Sequence, residues 1–187
     1  NSIVIGLIGV ADTIKEDSVD AIKSLNNQGF RTVMLTGDND LTAKSIAKQV
    51  GISEVISEVL PDEKANTIKE LQKQGLVAFV GDGVNDAPAL KQANVGVAIG
   101  TGTDIAIETA DIVLVKGNLG GVLKAISLSK KTFQKIKQNM FWAFAYNVVA
   151  IPLAMIGILH PVIAEIAMAA SSISVVTNAN LLKRKKI

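Results

Sequence analysis

Residues 76–90 read Leu-Val-Ala-Phe-Val-Gly-Asp-Gly-Val-Asn-Asp-Ala-Pro-Ala-Leu. The first five are an apolar run of strand length, and the loop after them carries two carboxylates four residues apart, Asp82 and Asp86. In open α/β sheets, ligands bind beyond the carboxyl ends of the strands. Hard oxygen ligands placed there suit Mg²⁺ held beside a phosphate. A glycine turn in which Asp86 caps the next helix explains the residue types equally well.

Short apolar runs alternate with amphipathic stretches over the first 118 residues. We predict strands at residues 3–10, 32–35, 55–56, 76–80, 95–99 and 112–115. Helices are predicted at 17–28, 40–50, 61–74, 86–93 and 103–109. Apolar strands that alternate with amphipathic helices indicate a parallel sheet covered on both faces. The sequence therefore predicts an α/β fold with a Rossmann-like parallel sheet.

Two further polar clusters lie at the start or end of predicted elements. Thr36-Gly37-Asp38 follows the strand that ends at Leu35, where the hydroxyl and backbone amides can hold a phosphate oxygen. Taken alone, such a sequence is more often only a turn. Lys64 falls in the first turn of a predicted helix, where a cation opposes the helix dipole and favours an anionic partner. The alternative for Lys64 is an ordinary surface lysine.

The last third of the chain has a different composition. Residues 139–182 contain one formal charge, Glu165, and this length suffices for two membrane crossings. We predict spans near 139–159 and 161–182, separated only by His160-Pro161 and preceded by a linker helix over 119–138. Residues 130–187 carry 8 basic side chains and one acidic, against 11 and 16 before them. The basic residues that precede the first span and follow the second predict that both ends of the hairpin lie in the cytoplasm. The alternative is a buried hairpin of a soluble protein.

The polar clusters in this order resemble the signatures of P-type ATPases, which belong to the haloacid dehalogenase superfamily. The matching strings are Thr36-Gly37-Asp38-Asn39, Pro61-Asp62-Glu63-Lys64 and residues 81–90. The resemblance implies the end of a nucleotide domain and its hinge in residues 1–15 and the second half of a phosphorylation domain in 16–118. It also implies that residues 139–187 are the last two transmembrane helices and a basic tail, in a multi-pass protein of the cell membrane.

The resemblance implies roles for the residues of the three motifs. Asp82 would bind Mg²⁺ with support from Asp86, Thr36 would bond the phosphoryl oxygens, and Lys64 would neutralise developing charge. The same motifs contribute three further candidate catalytic residues, Gly37, Asp38 and Asn85. ATP would bind mostly outside this chain.

The family's nucleophile is the aspartate of an Asp-Lys-Thr-Gly-Thr string, which does not occur in these 187 residues. Asp12 also follows an apolar strand, but it lacks the flanking pattern and its position resembles the hinge. We therefore expect the chain alone to be inactive. Because the nucleophile strand lies in the middle of the family's sheet, we hypothesise that residues 3–10 fill its place if the chain folds alone.

Polar residues in the predicted spans bear on the transported ion. Tyr146-Asn147 and Met168-Ala169-Ala170-Ser171-Ser172 are similar to the copper(I)-exporting branch of the heavy-metal pumps. A copper(I) site would then include Tyr146, Asn147, Met168 and Ser171, since a thioether is a soft ligand. Without the resemblance, the small residues are better explained as a packing face with Met168 as filler.

The implied partners are the lipid bilayer, the N-terminal part of the pump and a copper chaperone; no nucleic acid is expected. Two alternative functions stay open: a membrane-tethered phosphatase of the same superfamily, and a non-catalytic truncated partner of a pump. The chain contains no cysteine, so neither disulfides nor thiolate ligands come from it.

Overall fold

The computed structural model describes residues 13–81, 84–100, 104–158 and 160–184. The chain divides into two compact units, residues 1–123 and 124–187. In chain order, the elements of the first unit are α1 (Ser18–Asn27), β1 (Val33–Leu35), α2 (Asp40–Val50), β2 (Glu54–Ile56), α3 (Pro61–Gln72), β3 (Ala78–Gly81), a 3₁₀ turn (Val84–Asp86), α4 (Ala87–Gln92), β4 (Val95–Ile99), α5 (Asp104–Thr109) and β5 (Ile112–Leu114). Helix α6 (Gly120–Met155) begins in this unit.

All the described strand pairs are parallel, which confirms the predicted α/β class. Strand β1 pairs with β2, while β3, β4 and β5 form a second sheet in that order. One parallel sheet was predicted, whereas the described strands form two parallel sheets. The predicted strand at residues 3–10, and with it the hypothesis that it fills the central place, lies outside the described residues.

One apolar cluster joins the two sheets. It consists of Ile68, Phe79, Ala89 and Leu90, and Leu35 from β1 packs against it. Leu90 is the largest of the fully buried side chains, at 1% exposure. The end of β1 and the end of β3 are therefore anchored on the same core, and this positions the loops that follow them.

The helices of the first unit begin and end at residues that suit those positions. Asn39 caps α2, because its side-chain oxygen accepts a hydrogen bond from Thr42 N at 2.9 Å. Gly51 ends the helix with φ of 82°, a left-handed conformation that glycine adopts without strain. Pro61 starts α3, as predicted, and the Glu63 carboxylate accepts from Leu60 N at 3.3 Å.

The second unit contains the rest of α6 and helix α7 (Pro161–Asn180), which is followed by a 3₁₀ turn (Leu181–Arg184). Among the described residues, one stretch is long and apolar enough to cross a membrane, Pro161–Lys183. No residue of α7 is buried in the structure. The second predicted span is thus supported by its length and composition, and the first, near 139–159, stays a prediction.

The connection between the two helices is longer than predicted. Helix α6 ends at Met155 rather than at 159, so five residues, and not His160 alone, lie between the two helices. Gly157 has φ of 73°, and Ile158 N donates to Leu153 O at 3.1 Å. A left-handed glycine with such a backward hydrogen bond is a common helix C-terminus. The sequence analysis overlooked this stop signal.

Candidate active site

Lys64 and Asp86 form an ion pair between two of the predicted motifs. Lys64 Nζ lies 2.6 Å from Asp86 Oδ1, and the two side chains are only 17% and 12% exposed. Lys64 projects from the first turn of α3, whereas Asp86 ends the 3₁₀ turn that follows β3. The interpretation of Lys64 as an ordinary solvated lysine is therefore wrong, and its anionic partner in this structure is Asp86.

The loop after β1 is fixed by its own hydrogen bonds. Thr36 Oγ1 donates to Asp38 Oδ2 at 3.0 Å and accepts from Asp38 N at 3.1 Å. Val59 N donates to Thr36 O at 3.1 Å, and Glu58 N to Asp38 O at 2.9 Å. The loop is thus held against the segment that leads directly into α3. A phosphate oxygen that accepts from the Thr36 hydroxyl would have to replace the Asp38 carboxylate.

The glycine at the end of β3 allows Asp86 to approach the strand. A Cβ atom at Gly81 would lie 2.7 Å from Asp86 Oδ2 and 3.0 Å from Asp86 Cγ. No side chain fits there unless the carboxylate moves. Asp86 is itself buried, whereas Asn85 beside it is exposed. The signal for this contact was present in the sequence, as a glycine directly after an apolar strand.

The remaining predicted magnesium ligand cannot be placed. Asp82 lies outside the described residues, and the described ranges contain no group of three His, Cys, Asp or Glu side chains that could hold a metal. The donor chemistry of the loop nevertheless fits a hard cation, because Asp86 carries a carboxylate, which is a hard oxygen ligand. The magnesium assignment stays a prediction.

Three of the predicted site residues are thus linked through the fold. Lys64 and Asp86 touch directly, and Thr36 is bonded to Val59, which precedes α3. Thr36 and Asp86 come after the carboxyl ends of parallel strands, and Lys64 lies in the helix that comes after β2, as the sequence predicted. The arrangement combines a hydroxyl donor, a cation and a carboxylate at one end of the core, which are groups suited to binding a phosphoryl oxygen and its counter-ion.

No side-chain hydrogen bond is described among the four residues predicted to hold copper. Tyr146 Oη lies 3.3 Å from Ser174 Oγ rather than beside Ser171. Asn147 Nδ2 donates to Ala143 O of its own helix at 2.8 Å, and Met168 is 71% exposed. The structure therefore neither assembles nor excludes this ion site.

Sequence analysis missed three polar residues that join the two long helices. Asn178 Nδ2 donates to Asn139 Oδ1 at 2.8 Å, and Lys135 Nζ donates to Asn178 Oδ1 at 2.6 Å. Ser171, Ser174 and Asn178 are three and four residues apart and so lie on one face of α7. That spacing of polar residues in an apolar segment was the available signal.

The chain is similar to proteins of known family. A family model described as haloacid dehalogenase-like hydrolase matches residues 3–94. A probable copper-exporting P-type ATPase V of Mycobacterium tuberculosis (strain H37Rv) is 56% identical over 182 residues, 97% of this chain and 24% of that protein. A copper-exporting P-type ATPase of Staphylococcus aureus (strain JH9) is 57% identical over 183 residues, 97% of this chain and 23% of that protein.

Solved structures agree with this relationship. The crystal structure of a zinc-transporting PIB-type ATPase in the E2.Pi state superimposes with a TM-score of 0.86 at 37% identity, over 91% of this chain and 28% of that one. The chain spans about a quarter of the length of the curated relatives it matches. On these grounds, together with the motifs and the parallel fold, the chain contains a haloacid dehalogenase-like domain and is a segment of a P-type ATPase.

Proposed function

We propose that this chain is the part of an ATP-driven copper(I) exporter that supplies half of the phosphoryl-binding site and part of the membrane ion site. The observation that carries the proposal is the ion pair of Lys64 and Asp86, which joins two of the motifs at one end of the core. Phosphoryl transfer is catalysed mainly by positioning and charge neutralisation. A largely buried lysine beside a carboxylate loop can serve both purposes.

In the proposed cycle, an aspartate outside this chain attacks the γ-phosphoryl group of ATP and ADP leaves, and water later hydrolyses the aspartyl phosphate to free aspartate and inorganic phosphate. Lys64 would neutralise the charge that develops on the phosphoryl oxygens, and Thr36 would donate its hydroxyl hydrogen to one of them. The backbone N–H of Asp38, which donates to Thr36 Oγ1, would keep that hydroxyl in place while the phosphoryl oxygen takes the position of the Asp38 carboxylate.

Mg²⁺ would be held by Asp82 and supported by Asp86, and when bound it supplies positive charge beside the phosphate. The contact between Lys64 and Asp86 supports this assignment, because it orients one carboxylate oxygen and leaves the other beside Gly81.

Copper(I) is the proposed cargo. Met168 would offer the soft thioether, and Tyr146, Asn147 and Ser171 would complete the side of the site that this chain carries. Higher identity to the copper-exporting relatives, 57% against 37% for the zinc-transporting structure, supports copper over zinc. The exposure of Met168 in the isolated chain is compatible with ligands from other helices.

The proposed location is the cell membrane, with several spans in the complete pump and the α/β unit in the cytoplasm. The absence of any buried residue in α7 supports contact with lipid or with further helices. A copper chaperone is the proposed cytoplasmic donor of the ion. Lysines on both sides of the helical pair support the cytoplasmic orientation.

Two variants of the full-length pump test the two halves of the proposal separately. Asp82→Asn should lower copper-stimulated ATP hydrolysis by about 100-fold or more, since it removes a charge beside the phosphoryl group. The matched control is Asp62→Asn, an exposed carboxylate in the first turn of α3, which should keep its activity. Retained hydrolysis in Asp82→Asn would contradict the assignment.

Met168→Ala should weaken copper(I) binding by about tenfold or more, because it removes the soft donor. Met155→Ala is the control, since Met155 is 82% exposed at the end of α6 and outside the proposed site. Competition titration with a chromophoric copper(I) chelator measures both. An unchanged dissociation constant in Met168→Ala would return this residue to a packing role.

A further inference from the structure

Ser174 differs from the other hydroxyl-bearing residues of α7 in reaching the neighbouring helix. Its Oγ lies 3.3 Å from Tyr146 Oη. Its own hydrogen is donated to Ala170 O of α7, at 2.8 Å. A serine hydroxyl has one hydrogen and two lone pairs. Because that hydrogen is already used, the phenol of Tyr146 must be the donor in the bond between the helices.

The direction of this bond determines what Tyr146 presents to its surroundings. With its hydrogen directed at Ser174, the phenol oxygen turns its lone pairs, and not its hydrogen, toward any cation nearby. The ring is also in contact with Trp142 one helical turn earlier, with ring centroids 6.4 Å apart and a tilt of 39°. Two contacts therefore fix the phenol, one through the ring and one through the hydroxyl.

The register of the two helices keeps Ser174 opposite Tyr146. Asn178, four residues after Ser174, bonds Asn139 and Lys135 of α6. Positions 135, 139 and 146 are four and seven residues apart and share one face of α6. These contacts form one antiparallel row, so the pairing of Ser174 with Tyr146 is part of an extended interface.

We propose that Ser174 is a positioning residue of the copper(I) site, which acts by orienting the phenol of Tyr146. The inference rests on the proposed function, since it requires Tyr146 to face the ion. It adds to the predicted set a residue that bonds Tyr146 and determines the direction in which this phenol offers its lone pairs. Ser171, one turn earlier on the same face, lacks this contact among the described residues.

The test is a double-mutant cycle on copper(I) affinity in the purified full-length pump, with copper(I) ion and a competing chelator as the probe. Ser174→Ala should raise the dissociation constant about three- to tenfold, the effect of one hydrogen bond between membrane helices. Tyr146→Phe removes the same hydrogen bond together with the phenol oxygen itself and should raise the dissociation constant at least as much. The double variant should be no weaker than the worse single variant, because both substitutions remove the same interaction.

Rescue and control variants separate positioning from packing. Ser174→Thr keeps the hydroxyl and should restore the affinity to within twofold of the original. Thr177→Val removes an exposed hydroxyl one turn further along α7 and should leave the affinity unchanged. Failure of threonine to rescue the affinity, or strictly additive losses in the double variant, would overturn the inference.

The outcomes also distinguish this inference from the proposed function. If Met168→Ala weakens copper(I) binding and Ser174→Ala does not, the ion site stands and the role of Ser174 is refuted. If neither Met168→Ala nor Tyr146→Phe changes the affinity, the proposed ion site is wrong, and the role of Ser174 is refuted with it.

Discussion

Lys64 and Asp86 are 22 residues apart in the chain, yet their charged atoms lie 2.6 Å apart in a largely buried position. The pair fastens the first turn of α3 to the turn after β3. Burying two opposite charges is favourable only while both are present, because removal of one leaves the other without a partner. The contact therefore has a stabilising role in addition to its proposed chemical one.

Lys64→Met should lower the free energy of unfolding by about 1–3 kcal/mol, less than for a fully buried pair because both side chains keep some exposure. Urea denaturation followed by circular dichroism measures the change. Lys69→Met is the control, since Lys69 is exposed on the same helix and a surface substitution costs within about 0.5 kcal/mol. Equal losses in the two variants would show that the ion pair contributes nothing.

Gly81→Ala should displace the Asp86 carboxylate, because the added Cβ would lie 2.7 Å from its Oδ2. Overpacking of this kind costs about 1–3 kcal/mol. We expect lower stability in denaturation and reduced phosphoenzyme formation in the full-length pump. Gly75→Ala is the matched control, since a Cβ there would meet nothing within 4 Å. A stable, fully active Gly81→Ala pump would contradict the close approach seen at β3.

Asn39→Ala should destabilise the chain by about 1 kcal/mol, because it removes the side-chain acceptor that caps α2. Asn39→Asp retains an oxygen that can accept from Thr42 N and should preserve the stability. Thermal melting of the three proteins compares them directly. The cap would have no importance if alanine and aspartate behaved alike.

Stability should depend on pH through Glu54. The hydrogen bond and charge of Arg31 lower the pKa of Glu54 below its ordinary value of 4.5. The pair therefore stabilises the fold fully above pH 4.5, where the unfolded carboxyl is also ionised, and its contribution is lost as the pH falls through the lower folded pKa. Glu54→Gln should melt below the original protein at pH 7 and converge with it in acid.

The double variant Arg31→Gln with Glu54→Gln is the control for this pH dependence. It removes both charges, so its melting temperature should differ from that of Glu54→Gln by an amount that does not change between pH 7 and pH 4. Because Arg31 also donates to Gln74 Oε1 at 2.5 Å, a constant offset is expected. A difference that varies with pH would assign the effect to another group.

The order of strands and helices could be predicted from the sequence because each element carries its own periodic pattern and end signal. Pro61 before α3 and Gly51 after α2 are such local signals. The partner of Lys64 could not be predicted, since nothing in the residues near it refers to Asp86. The resemblance to a family named both residues, but only the fold brings them into contact.

The membrane half was predicted less well for a related reason. Apolar composition indicates a long helix but not which side chains meet across two of them. The pairing of Tyr146 with Ser174 depends on the register of α6 and α7, which the bonds of Asn178 help to fix. Gly157, by contrast, was a local signal that could have moved the predicted helix end from 159 to 155.

Among the described residues, β1 pairs only with β2 and β3 only with β4, so each of these two strands has one side without a partner strand within the described ranges. Such edges readily recruit other chains. One additional strand that paired with both β1 and β3 would hold the Thr36 loop and the Asp86 turn at a fixed spacing. The same pairing would also block aggregation, so solubility and chemistry would depend on one event. Preparations in which these edges stay uncovered should precipitate or form oligomers.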